Sequence, residues 1–148
     1  MNYKKILNYL IFLLPWFISV ILFKIDTNYY QTLDLPFFAP PPILFAIIWP
    51  ILYILIALTL YIIWDKTDKK YRKLLIINYI ANELYTFFFF VIKNNFLALT
   101  DTIIVLITSI LLYKKTKEIN KKAANYLIPY IIWNIFATLL SISIYFMN

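Results

Sequence analysis

Residues 35–64 read LPFFAPPPILFAIIWPILYILIALTLYIIW, without one charged side chain. Prolines 36, 40, 41 and 42 bar a regular helix at the front of this stretch, so it predicts a helix over 43–64. About 20 apolar residues cross a hydrocarbon core about 30 Å thick, and this segment is long enough. Working outward, 6–23 and 123–148 are also uncharged, 74–92 contains only Glu83, and 94–113 contains only Asp101. The sequence therefore predicts an all-α membrane protein. It is a five-transmembrane-helix bundle, with helices over 6–23, 43–64, 74–92, 97–113 and 123–146 in a single domain, 1–148. The first run lacks a small-residue cleavage site and four more spans follow it, so it reads as a retained helix.

Composition agrees. Of 148 residues, 64% are hydrophobic, 20% aromatic and 14% charged, against about 45–50% apolar and about 25% charged in soluble domains. The chain has no Cys, His or Gly. That removes disulfides, thiolate nucleophiles, imidazole triads, His- or Cys-held metals and glycine-rich phosphate loops. No metal site and no obligatory cofactor are expected.

The net charge of +7 does not point to nucleic acid, because the charges sit at span ends. Twelve of the 14 basic residues fall at the N-terminus (Lys4, Lys5) and in the second and fourth loops, leaving Lys24 and Lys93 opposite. Basic loops stay cytoplasmic, so the expectation is a multi-pass cell-membrane protein with its N-terminus cytoplasmic and its C-terminus outside. Anionic lipid suffices as partner for such loops. The remaining loops are short, which predicts an antiparallel up-and-down bundle of sequence neighbours.

The first loop, KIDTNYYQTLDLPFFAPPP (24–42), is long, aromatic and proline-rich. A connector of this length without obvious secondary structure is either a functional lid or, here, an aromatic belt at headgroup level. Both readings stand on sequence alone. Pro15, Pro50 and Pro129 fall inside spans and predict kinks.

Polar residues form stripes. Asn78, Asn82 and Thr86 share one face of helix 3, with Glu83 beside them, and Asn134, Thr138, Ser141 and Tyr145 share one face of helix 5. Both stripes should face the interior and bond between helices. Intramembrane acids are site candidates by default. Glu83 lies mid-helix, where a proton-relay role in transport is one reading, while Asp101, two turns from Lys93, reads as a capping or interfacial group. Trp49, Tyr53 and Ala57 share a face of helix 2, and Trp133 and Ala137 one of helix 5, the makings of an apolar slot with polar anchors.

Three segments resemble one family in order. YYQTLDLPFFAPPPILFAIIWPILY (29–53) resembles a W-Y-x-x-L-x-K-P-x-W-x-P-P…W-x-x-L-Y block. NYIANELYTFFFF (78–90) resembles an N-x-x-W/F block, and LIPYIIWNIFATLLSISIY (127–145) a P-Y-x-x-W-x-x-F-A-T-x-L block. The family is that of the translocator proteins, called tryptophan-rich sensory proteins in bacteria, and the resemblance covers nearly the whole chain.

The resemblance implies a receptor or sensor with a pocket inside the five helices, roofed by the first loop, that binds porphyrin-like, flat apolar ligands. By matched position the pocket includes Tyr30, Pro40, Trp49, Tyr53, Asn82, Phe88, Trp133 and Ala137, with Trp49 and Asn82 as polar anchors. A homodimer is also implied. Some bacterial members resemble porphyrin-degrading catalysts that use a loop Trp and a helix-5 Trp. Here the loop position holds tyrosine or phenylalanine and Trp133 alone remains, so no catalytic residue is assigned beyond it. Without His or Cys, metal-free protoporphyrin held by stacking is expected rather than a ligated iron tetrapyrrole.

Overall fold

The computed structural model describes residues 3–148, the side chain of Lys4 excepted; Lys4's share of the charge count therefore lies outside the described side chains. The elements are α1 (Tyr3–Leu13), a 3₁₀ turn (Leu14–Phe17), α2 (Ile18–Leu22), α3 (Thr27–Thr32), α4 (Pro42–Ile63), α5 (Lys69–Thr86) with a wide π turn at its end (Phe87–Val91), α6 (Asn95–Ile119), α7 (Lys121–Asn125) and α8 (Ile128–Met147). Among the described residues, five helical segments are long and apolar enough to cross a membrane: Lys5–Leu22, Pro42–Lys66, Lys69–Val91, Asn95–Ile119 and Lys121–Met147.

These segments overrun the expected ends, most clearly at Lys69 and Ile119. Counting uncharged residues clips a helix too early, because lysine stems lie along the helix while their ammonium groups reach the headgroups. Side-chain caps fix the true starts: Asp68 accepts from the Tyr71 N–H at 2.6 Å, and Asn94 from the Leu97 N–H at 3.0 Å.

The packing order is not the sequence order. α1 packs on α4, α4 on α7 and α8, α8 on α6, α6 on α5, and α5 on α2. The spans thus close a ring in the order 1-2-5-4-3. The expected pairing of the second span with the third is replaced by insertion of the first between them. Its wedge is Trp16, which is buried, stacks on Tyr53 at 5.6 Å and meets Tyr79 edge-on at 5.2 Å.

The prolines act differently from one another. Pro15 breaks the first span into the 3₁₀ turn, whereas α4 continues through Pro50. Pro129 lies in the first turn of α8, where the missing N–H has no helical acceptor to lose, so it starts a helix instead of kinking one.

The first loop is more ordered than expected. Asp26 caps α3 by accepting the Tyr29 N–H at 3.1 Å. Tyr30 is buried and donates its hydroxyl to the Pro40 carbonyl at 3.0 Å. Its ring meets Phe45 of α4 and Phe89 of the π turn. The loop therefore folds over the end of the bundle as a lid, while Phe37 projects fully exposed.

Candidate functional site

Beneath the lid, a cavity of about 40 Å³ is lined by side chains of α4, α5, α6 and α8, among them Phe45, Trp49, Asn82, Asp101, Asn134 and Ala137. Small residues leave the space and aromatic ones wall it. Phe45 and Trp49 come from successive turns of α4; Ala137, where a larger side chain would fill the gap, comes from α8.

A polar network closes the end of the cavity away from the lid. The Tyr53 hydroxyl donates to Asn82 Oδ1 at 3.2 Å, and Asn82 Nδ2 donates to the Tyr130 hydroxyl at 3.2 Å. Tyr130 in turn donates to Asn78 Oδ1 at 3.1 Å, and Asn78 Nδ2 donates to Thr108 Oγ1 at 2.8 Å and to the Val105 carbonyl at 3.2 Å. One chain of bonds therefore ties α4, α5, α6 and α8. The Asn78 and Asn82 positions of the helix-3 stripe make the interhelical bonds that polar groups in lipid require.

Of the sequence-predicted residues, Trp49, Asn82 and Ala137 line the cavity. Tyr53 supports it from behind, bonded to Asn82 with its ring 5.6 Å from that of Trp49. Trp133 crosses Trp49 at 6.4 Å, nearly perpendicular, and meets Phe45 at 5.7 Å; its buried indole N–H has no partner among the described residues. Tyr30 and Pro40 belong to the lid and are joined to each other. Phe88 packs in the cluster under the lid without lining the cavity, and Phe89, stacked on Tyr85 at 5.6 Å, is the buried member of the run. The run forms a π turn, in which the Ile92 N–H reaches back five residues to Phe87 O.

Sequence reasoning missed the rest of the lining, including two polar residues that it had singled out for other roles. Asp101 does not cap or sit at an interface; Asn94 takes the cap, and Asp101 is 5% exposed inside the bundle. Asn134, recognised in the helix-5 stripe but not placed in the pocket, lines the cavity too. Their signal was present, since Asp101 is one of two acids in the spans. Tyr145 leaves that stripe, being exposed and packed against Phe96, as suits an aromatic hydroxyl at a membrane boundary.

Glu83 lies off the cavity lining and accepts the backbone N–H of Ser19. The 3₁₀ turn directs the Ile18 N–H to the Pro15 carbonyl, which also accepts the Tyr79 hydroxyl at 2.9 Å. Ser19 is left to find another acceptor, and Glu83, one helical turn beyond Tyr79, supplies it.

The lid is held on both flanks. Lys93 Nζ bonds Asp26 Oδ2 at 3.0 Å and lies 4.8 Å from the centre of the Tyr29 ring. Lys93 has φ 55°, a left-handed ending normally given to glycine, in a chain that has none. The Lys93 bond, with the Tyr29 N–H, holds the Asp26 carboxyl below its ordinary pKa, while burial pushes the Tyr30 hydroxyl up. On the other flank, Asp34 N–H donates to Asn148 Oδ1 at 2.9 Å and Asn148 Nδ2 to the Asp34 carbonyl at 3.1 Å.

Comparison with known proteins adds an independent line. The profile of the TspO/MBR family matches residues 9–147. A protein from Bacillus cereus named tryptophan-rich protein TspO is 39% identical over 136 residues, covering 90% of this chain and 89% of that one. A Bacillus subtilis membrane protein, YtaB, is 37% identical, covering 86% of this chain and 84% of its own. A protein from Archaeoglobus fulgidus, also named tryptophan-rich protein TspO, is 32% identical, covering 82% and 80%.

Proposed function

The chain belongs to the TspO/MBR family and is a multi-pass membrane protein, and from that premise we propose that it is a receptor or sensor for porphyrin-like, flat apolar ligands. The observation that carries this reading is the small cavity between the helices under the lid, with Trp49, Asn82 and Ala137 contributed to its wall by three different spans. Its walls offer ring faces for stacking and few polar groups, the usual character of a small-molecule site.

At about 40 Å³ the cavity is far below the ~300–1,000 Å³ of pockets that take drug-sized ligands. The described form is therefore the closed state of the proposed receptor. Ligand uptake requires the lid to lift and the ring of helices to widen. The Pro15 break and the π turn at Phe87–Val91 are the places where the helical ladder is already interrupted. By charge placement the lid faces outward and the basic loops face the cytoplasm; the proposal includes a homodimer as the working form.

Quenching of tryptophan fluorescence by protoporphyrin in detergent tests the reading. Saturable quenching that weakens at least tenfold in Trp133→Phe or Asn82→Ala supports it. Quenching that never saturates, or that is unchanged in both variants, removes this site.

A further inference from the structure

The end of the bundle away from the lid is strongly cationic. The Tyr71 hydroxyl and Thr116 Oγ1 share a buried hydrogen bond of 3.0 Å, which sets the start of α5 against the end of α6. The Thr59 hydroxyl of α4 donates to the Ala123 carbonyl of α7 at 3.2 Å, which adds α7 to the same end. Residues 65–73 and 114–122, brought together this way, hold ten basic side chains and three acidic ones. Among the described residues the one ion pair is Lys93 with Asp26, at the lid, so Asp65, Asp68 and Glu118 leave all ten unpaired.

Solvated lysines attract anionic lipid diffusely. Arg72 differs, because it is held in place. Its guanidinium carbon lies 4.5 Å from the centre of the Trp64 ring. Nε donates to Thr67 Oγ1 at 3.1 Å, and Nη2 to the Trp64 carbonyl at 3.5 Å. Nη1 has no partner among the described residues, and the side chain is exposed, so one edge of a positioned fork is open. A planar guanidinium meets two phosphate oxygens at once, and holding it beforehand lowers the ordering cost of binding. Lys69, Arg72 and Lys73 also crowd the start of α5, where cations oppose the helix dipole and an anion is favoured.

The same face of α5 continues into apolar surface. Arg72, Ile76 and Ile80 follow at four-residue steps, and the two isoleucines are 55% and 49% exposed. A cationic head above an aliphatic strip is the complement of a phospholipid. We propose that Arg72, with Lys69 and Lys73 beside it, binds the phosphodiester of an anionic glycerophospholipid whose acyl chain lies along Ile76 and Ile80. Free phosphate offers the same oxygens but nothing for the isoleucine strip. An acidic protein segment leaves that strip bare as well. Trp64, the platform under Arg72, suits headgroup depth. Lid and cavity take no part, so this site stands or falls apart from the proposed receptor role.

The test counts lipids bound to the full chain in detergent by native mass spectrometry, during titration with dioleoyl phosphatidylglycerol or dioleoyl phosphatidylcholine. Phosphatidylcholine carries the same phosphodiester with a choline cation that the neighbouring lysines repel. The expected result is a first binding event at least fivefold tighter for phosphatidylglycerol. The preference should fall below twofold in Arg72→Gln and be unchanged in Lys24→Gln, which removes the same charge from an exposed position at the opposite end. Arg72→Lys keeps the charge without the fork and should retain less than half of the preference. Circular dichroism checks the fold, and if Arg72→Gln does not fold, Arg72→Lys decides.

A wild-type preference under fivefold overturns the site. Equal losses in Arg72→Gln and Lys24→Gln also overturn it, since they mark diffuse attraction by net charge, and so does full retention in Arg72→Lys. Millimolar inorganic phosphate at constant ionic strength should leave the preference in place. Its abolition by phosphate, or by a glutamate-rich peptide under the same conditions, assigns the cations to a soluble partner and rejects the lipid.

Discussion

Glu83 on α5 accepts the backbone N–H of Ser19, the donor that the proline break in the first span leaves without a helical partner. This acid, for which a proton-relay role was one reading of the sequence, is bonded to a backbone amide. Its acceptor role needs a carbonyl-type oxygen but not a charge. Glu83→Gln should therefore be tolerated, whereas Glu83→Leu strands the Ser19 donor and should cost about 1–3 kcal/mol. Thermal unfolding in detergent, compared across both variants, checks this; equal losses would contradict it.

Tyr130 is the junction of the network joining Asn78 and Asn82. Tyr130→Phe removes two interhelical bonds at nearly constant volume. With such bonds in membranes averaging about 0.6 kcal/mol, the expected loss is about 1 kcal/mol, read as a lowered unfolding temperature. A variant as stable as the parent would show that the network positions side chains without holding the helices.

The lid should loosen in acid. The folded pKa of Asp26 is lowered by Lys93 and the Tyr29 N–H, so its contribution is present above the ordinary carboxylate pKa of about 3.9. It is lost as pH falls from there through the lower folded value. Hydrogen exchange across 27–41 should be slow at pH 6 and, after correction for intrinsic rates, less protected at pH 3. Asp26→Asn should remove the difference. High salt should weaken the same contact, because both partners are partly exposed.

Ala137→Phe should fill the gap on α8 beside Trp49. Protoporphyrin binding is expected to weaken tenfold or more, and the unfolding temperature should fall modestly, since the added ring exceeds the space of about 40 Å³ and overpacks the site. Retained binding would place the ligand elsewhere. Titration and unfolding on the same preparation separate the two effects.

Orientation can be read from single cysteines introduced into this cysteine-free chain. Phe37→Cys in the lid should react with an impermeant maleimide in intact cells, and Lys70→Cys should not. The reverse pattern would invert the protein in the membrane.

Span number and class were legible because an apolar run of membrane length has few alternatives. The contribution of Trp49, Asn82 and Ala137 to one cavity wall was carried by the family resemblance. Ring order was not legible: nothing in a one-dimensional pattern says that Trp16 inserts between Tyr53 and Tyr79. Nor was Asp101 placed correctly, because closeness to Lys93 in sequence suggested the boundary while helix rotation turns it inward. Phe88, placed in the pocket by the resemblance, packs under the lid beside the π turn without lining the cavity. The lid helix was hidden by its shortness, although Asp26 three residues before Tyr29 is an N-cap pattern.

The first span carries one further consequence. Only 11% of it is buried, against 28–39% for the other four, although its Trp16 wedges the second and third apart. The least-packed element of a structure is the first to move, so for the proposed receptor we take the seam beside this helix as the side door to the hydrocarbon phase. An apolar ligand that arrives that way comes from solution in the bilayer, at a concentration set by its oil–water partition and the amount of lipid. Occupancy then reports the membrane's content of ligand, and a dissociation constant written per volume of water will change with every micelle or vesicle used to measure it.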